Sequence, residues 1–535
     1  MKKLLLLVSS IWYLISAPMV HAASEFTTSF NSLYVIKNSG ETAVIHKITL
    51  KNNLAHIYAT DYTIATSGDE LTNITASDES GTIASTTTVQ NGTTSIHLTI
   101  DRPAIGKDQE KTITLNYHTT GVAEIIGDTM TVNIPRLAKA NEAENYTRVV
   151  KIEGTQERSS LIFPPANKTE PLDGYTSYTF IGHQSDSLTL LFGDSVTYKL
   201  NLIYELKNKE LSAADSELAL PPDTAYQHIL LNQIDPPPID IRLDEAGNWL
   251  ARYHLKPQEK LLIKTELYAT VHPQPVLYDP STTNLVKIGR SKYWDTSSEI
   301  VRELAEKLKS PENIYRYLVT NFTYNYGGVT TGGERLGTVG ALSSPSSVLC
   351  TEFTDTFVSL SRSLGIPARE INGYGYTNND ILQPRSGGND ILHSWPEYFN
   401  SEKGKWIAID PTWGNTTGGI DYFNKLDFSH IVFVRHGLED SYPLPAGSYK
   451  SNSADKFVEV QIGESIPEER QSLETKDGTI YNTGNVALIN KTVGYLPPYG
   501  TYKIPLTQTS SLYDKIRLLC AKLLSKFWRL RPAST

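Results

Sequence analysis

The chain has 535 residues, more than one hydrophobic core organises, and roughly three to five domains are expected. Hydrophobic residues make up 39% and charged residues 20%, the balance of an ordinary folded protein, while a net charge of −9 lacks the basic footprint that nucleic-acid binding requires. Thirty tyrosines and many threonines favour strands over helices as the main scaffold.

The first elements in the chain concern its address. Lys2-Lys3, the apolar run from Leu4 to Ile15 and the small-residue site Val20-His21-Ala22 read as a signal peptide over 1–23, with the mature chain starting near Ala23 or Ser24. A secreted, periplasmic or cell-surface location is therefore expected. No later run is apolar for 18 residues, so no further membrane span is expected. Two cysteines, Cys350 and Cys520, are too few for a disulfide framework. A bridge between them is disfavoured, because Cys520 lies in a remote basic tail and bridging would silence chemistry at Cys350.

From 24 to 271 apolar and polar residues alternate, as in Val44, His46, Ile48 and Leu50, or Val196, Tyr198, Leu200, Leu202 and Tyr204. Period-two runs separated by glycine- and proline-rich turns predict antiparallel sheets, a β-sandwich over 24–118 and further β-rich structure over 119–272, in consecutive Ig-like units. Asp235-Pro236-Pro237-Pro238 marks a stiff turn or short linker.

The character changes near Tyr293, and an α+β domain is expected over 273–450. Thr296 and Ser297 are placed to cap a helix with Ile300, Leu304 and Leu308 as its apolar stripe. Pro311 starts a second helix with Ile314, Tyr315, Leu318 and Val319 inward. After Cys350, Phe353, Phe357, Leu360 and Leu364 recur at helical spacing, Ser346 or Ser347 supplies the N-cap, and Gly365 with Pro367 ends the helix. Arg369 to Tyr376 reads as a strand, and His393 to Phe399 and Trp406 to Asp410 as two more joined at Lys403-Gly404. A small β-domain is expected over 451–509. Over 510–535 a basic amphipathic helix, with Leu512, Ile516, Leu519, Leu523 and Phe527 opposite Lys515, Lys522, Lys526 and Arg529, suits either peripheral contact with a membrane or cell wall, or docking on the protein itself.

Cys350, His393 and Asp410 carry the chemistry. Only the thiolate of a cysteine is a good nucleophile, and the first turn of a helix, where Cys350 falls, favours the anion. An imidazole takes the proton and returns it to a leaving amine, and a carboxylate behind it fixes its tautomer. Taken singly, a lone cysteine is usually a small core residue, the histidine a structural one and the aspartate a turn residue before Pro411. Their joint arrangement reverses that reading. His430 and His436 lie near Asp427 but lack a nearby cysteine. No His-Glu-x-x-His zinc helix and no phosphate-binding glycine loop occurs, so neither a metal nor another cofactor is implied.

From Tyr293 to Gly447 the sequence resembles the transglutaminase-like superfamily of papain-like fold. The resemblance rests on Cys350 followed by Thr351-Glu352-Phe353, on Gly365-Ile366-Pro367-Ala368-Arg369 with Gly373-Tyr374, on His393-Ser394-Trp395, and on Asp410-Pro411-Thr412. It implies Cys350 as nucleophile, His393 as base and acid, Asp410 as orienting carboxylate, and acyl transfer through a thioester to water or an amine. Exported bacterial members of the superfamily often carry β-sandwich domains beside the core. For an oxyanion donor beyond the Cys350 backbone N–H, Tyr324, Tyr326 and Trp395 are candidates, and Trp395 and Tyr326 are also candidates for substrate contact. The leading expectation is an exported cysteine enzyme acting on amide bonds of peptides or proteins, with hydrolysis favoured. The alternatives are a calcium-independent cross-linking transglutaminase and a non-catalytic surface adhesion protein that uses the domain as a scaffold.

Overall fold

Alternation in sequence becomes alternation in burial. In the strand Thr42–Asn52, Val44, His46, Ile48 and Leu50 all point inward, while Lys47 between them is exposed. The computed structural model describes residues 25–504, apart from 68–70, 91–92, 138–142, 155–158, 183–186, 283–290, 329–333, 386–389, 391, 452–454 and 492. The expected signal peptide and the C-terminal amphipathic helix lie outside the described residues. No described helix is long and apolar enough to cross a membrane.

Thr42–Asn52 lies between Phe26–Ile36 and Glu110–Thr119 in a ten-stranded sheet. Phe26–Ile36 pairs in parallel with Asn145–Glu153, so strands from either side of residue 118 share one sheet. The break expected between 24–118 and 119–272 therefore falls inside a continuous hydrogen-bonded layer. A four-stranded sheet of Ser159–Phe163, Leu188–Phe192, Thr129–Ile134 and Ala123–Ile126 packs on the same core through Met130, Val132, Ile134, Leu188 and Leu190.

A second β-region is built from Val196–Lys207, Gln227–Asp235 and Lys260–Val271. It packs against a three-stranded sheet of Ala214–Leu220, Trp249–Leu255 and Asp240–Leu243. Val458–Ile462, expected in the terminal β-domain, adds instead to Val196–Lys207 as its other neighbour. The strands from Leu473 to Lys503 form two small sheets beside it. Val486 from this part packs with Leu230 and Tyr268.

The remaining sheet has the order Lys405–Ala408, His393–Asn400, Ala368–Gly375, His430–His436, all antiparallel. Its edge strand, His430–His436, is buried at every position. Two side-chain amides take the place of a further strand. Gln227 accepts from Val432 N–H at 2.9 Å and donates to its carbonyl at 3.0 Å, and Asn248 does the same for Arg435 at 2.8 Å and 2.8 Å. The second β-region thereby closes an edge that would otherwise template further pairing. It also fixes the strand that carries His430. Arg435 and Arg369 add ion pairs to Asp279 at 3.0 Å and 3.2 Å, and Arg369 pairs with Glu397 at 2.6 Å.

Helices cover this sheet. Pro311–Asn321 begins with proline and is capped by Ser310 Oγ, which accepts from Asn313 N–H at 3.2 Å; its buried residues are Ile314, Tyr315 and Leu318. Glu299–Leu308 differs from expectation. Its N-cap is Ser298, and it buries Val301 and Ala305, while Ile300 is exposed and Leu304 and Leu308 are only partly covered. The helix Cys350–Ser363 buries Phe353, Phe357 and Leu360 as its spacing predicts. Gly365 ends it in the left-handed conformation at φ 75°, with Ile366 N–H bonding to Ser361 O at 3.0 Å and Gly365 N–H to Arg362 O at 2.9 Å.

Candidate active site

Cys350 is the first residue of its helix and the N-cap is Leu349, so neither Ser346 nor Ser347 caps it. Glu352, three residues in, reaches back to accept from Leu349 N–H at 2.8 Å and takes Leu336 N–H at 3.0 Å with its other oxygen. A buried carboxylate thus substitutes for the expected serine at a helix start. Before the helix, Val348 bridges to Tyr324 and accepts from Asn325 N–H at 2.9 Å. These bonds set the turn that presents Cys350 at the positive end of the helix. Cys350 is a free thiol and is 1% exposed.

His393 opens its strand next to Gly373, its partner in the sheet. Its Nε2 lies 2.9 Å from Asp410 Oδ2, and both side chains are buried. Asp410 is not in a strand as expected: the strand ends at Ala408, and Asp410 is the N-cap of the short helix Pro411–Thr416. Its Oδ1 accepts from Thr412 N–H at 2.8 Å and Trp413 N–H at 3.0 Å, leaving Oδ2 for the imidazole. One carboxylate therefore caps a helix and orients the histidine. With Nε2 engaged, Nδ1 of His393 is buried and has no hydrogen-bond partner among the described residues. Burial lowers the pKa of His393, but Asp410 and then Cys350 beside it outweigh that effect and hold it above its usual value. Burial likewise raises Asp410, and the two histidines it contacts hold it far below the usual carboxylate range.

The second of those histidines was passed over in the sequence. His430 places Nε2 3.2 Å from the same Asp410 Oδ2 and Nδ1 2.7 Å from Asp427 Oδ1. An Asp-x-x-His pair leading into the apolar run Ile431 to Val434 was the available signal. Donor atoms of His393, Asp410 and His430 lie within 4.8 Å of one another, near enough for a metal ion, and the hydrogen bonds between the same atoms account for that closeness.

Two tryptophans wall the histidines. Trp413 stacks on His393 at 4.8 Å between ring centroids and lies 4.5 Å from His430; Trp395 stacks on His393 at 5.6 Å and meets His430 edge-on at 4.9 Å. The stacked indole faces favour a charged imidazole at His393. Space for them comes from two glycines on the neighbouring strand. A Cβ at Gly373 would lie 2.0 Å from Ile431 O and 2.7 Å from the Trp395 ring, and one at Gly375 would lie 2.7 Å from Trp413.

The other residues singled out from sequence separate here. Trp395 is 1% exposed and packs on the histidines, so it is a wall of the site and not the expected contact surface for substrate. Tyr326 is half-exposed, and its hydroxyl donates to Ile381 O at 2.7 Å, which occupies the proton an oxyanion would need. Tyr324 is buried beside Cys350, its hydroxyl has no partner among the described residues, and burial and then the thiol push its phenol well up. His436 bonds to Glu370 and to Pro443 O, apart from this group.

Residues 295–411 match the model of the transglutaminase-like superfamily. The segment carries a transglutaminase-like core. The chain is 33% identical over 140 residues to YebA of Bacillus subtilis, a stretch covering 23% of this chain and 18% of YebA, so it spans less than a fifth of that relative's length. Among solved structures, a candidate cysteine protease from Cytophaga hutchinsonii aligns with 16% identity and a TM-score of 0.35, over 52% of this chain and 93% of that one. The periplasmic domain of TgpA from Pseudomonas aeruginosa aligns with 17% identity and a TM-score of 0.22, over 41% and 91% of the two chains. At these scores neither structural likeness bears on substrate or activity.

Proposed function

We propose that this protein is an exported, cysteine-dependent acyl-transfer enzyme that acts on amide bonds of peptides or protein side chains through a thioester, with water as the usual acceptor. The observation that carries this reading is the state of His393: Nε2 is fixed on Asp410, Nδ1 is buried with no hydrogen-bond partner among the described residues, and Cys350 is near enough to help raise the ring's pKa. Nδ1 takes the thiol proton, and the thiolate attacks the amide carbonyl carbon. The oxygen of the tetrahedral intermediate is met by the Cys350 N–H and the Tyr324 hydroxyl. As the C–N bond breaks, His393 returns its proton to the leaving amine. The thioester is then opened by water, which His393 deprotonates, or by a second amine.

On this account Tyr324→Phe lowers kcat by about 10²-fold with little change in KM, the effect of removing one oxyanion donor. Steady-state kinetics on any hydrolysed peptide checks it. The proposal as a whole is tested by incubating the mature chain with mixed glutamine-containing peptides and a fluorescent primary amine, then reading products by mass. The expected result is hydrolysed products that vanish in Cys350→Ala. Predominant amine incorporation would make the protein a cross-linking enzyme, and wild type indistinguishable from Cys350→Ala would count against catalysis.

A further inference from the structure

We infer that Asp427 and His430 form a second carboxylate–imidazolium pair that positions Asp410, so that the working unit is the chain Asp427–His430–Asp410–His393–Cys350. This rests on the proposed reading of Cys350 as the nucleophile. A neutral imidazole has one N–H, yet both ring nitrogens of His430 face a carboxylate oxygen, at 2.7 Å and 3.2 Å. Only the doubly protonated ring donates to both. With His430 charged, Asp410 accepts two N–H groups at each oxygen and is held from four sides. A carboxylate fixed in that way presents one orientation to His393.

His430 faces Asp410, Asp427, the Trp395, Trp413 and Tyr422 rings, and His393 at 5.8 Å between centroids. Asp427 accepts from Ser429 N–H at 2.9 Å and also faces Lys425, Glu124 and Tyr198. Burial lowers Lys425 to about 8, and burial with the charge of Asp427 raises Glu124 to about 7. Burial opposes the charge on His430, but Asp427 and Asp410 outweigh it and raise its pKa to about 9. A folded pKa above the ordinary 6.5 means that this charge stabilises the fold fully below about pH 6.5 and ceases to do so as pH rises through about 9.

A positive charge on His430, whose ring lies 5.8 Å from that of His393 between centroids, favours loss of the thiol proton to that unit and disfavours a second positive charge on His393. Its removal shifts both titrations upward. The test is the rate of iodoacetamide alkylation of Cys350 against pH, in full chain carrying Cys520→Ser so that one thiol remains. Wild type is compared with His430→Gln and with Asp427→Asn/His430→Gln, which removes a positive and a negative group together and so avoids a lone buried carboxylate. In His430→Gln the acid limb moves up, so that alkylation at pH 6 slows by about tenfold. The double variant, read if the single does not fold, moves the same way by a smaller factor. A limb unmoved in a folded variant, with wild-type Cys350 titrating well below an ordinary thiol, overturns the inference and leaves the proposed function standing. A wild-type thiol with ordinary titration overturns both.

Discussion

Asp410→Asn is expected to reduce kcat/KM on the order of 10⁴-fold while leaving the helix that begins at Pro411 in place. The two effects separate because the two oxygens of Asp410 have separate work. An asparagine oxygen at the Oδ1 position still accepts from Thr412 and Trp413 N–H, so the cap survives. The amide nitrogen then falls where Oδ2 receives Nε2 of both His393 and His430, and three donors converge with no acceptor. His393 is driven toward the tautomer with its proton on Nδ1, the nitrogen that must accept from Cys350. His430 meanwhile loses one of its two counter-charges in a buried site. Breaking a buried ionic contact on one side costs about 3–5 kcal/mol, so a lowered melting temperature is expected together with the catalytic loss. Steady-state kinetics and a thermal melt on the same preparation check both halves. Retained activity would show that Asp410 is a cap and nothing more.

Gly373→Ala is expected to be the most damaging substitution by a single carbon. Gly373 lies between the strands of the two histidines, paired with His393 on one side and with Val432 on the other. Its added Cβ would come 2.0 Å from Ile431 O, a backbone atom with no rotamer to escape into, and 2.7 Å from the Trp395 ring. Ordinary overpacking costs about 1–3 kcal/mol, and a clash with backbone in the centre of a sheet lies at or above the top of that range. The edge strand must move away or the sheet must open, and either separates His430 from Asp410. The expected result is a destabilised protein with Cys350 alkylated like a free thiol. Far-ultraviolet dichroism with the alkylation rate reads both.

These two positions also show what the sequence could and could not convey. The stripe of Phe353, Phe357 and Leu360 and the stop at Gly365 were legible, because helical period and a left-handed glycine are local properties. The cap was not: Ser346 and Ser347 are ordinary capping residues, but the backbone enters through Leu349 and Glu352 does their work from within the helix. The stripe on Glu299–Leu308 was read one residue out of phase. Ile300 with Leu304 and Val301 with Ala305 both have helical period, and the smaller pair faces the core. Cys350, His393 and Asp410 could be brought together by their sequence blocks, whereas His430 could not, since its link to Asp410 runs through a sheet edge that Gln227 and Asn248 close from another region. The parallel pairing of Phe26–Ile36 with Asn145–Glu153 was hidden for the same reason: pairing over more than a hundred residues leaves no trace in either strand's own pattern.

Whether Cys350 and His393 share a proton separates a catalytic thiol from a buried structural one. The most direct measurement is the pH dependence of Cys350 alkylation in the Cys520→Ser chain, with and without His393→Ala. A wild-type limb well below the free-thiol value of about 8.5, moved upward in His393→Ala, is the result predicted. A limb at the free-thiol value that ignores His393 would contradict it.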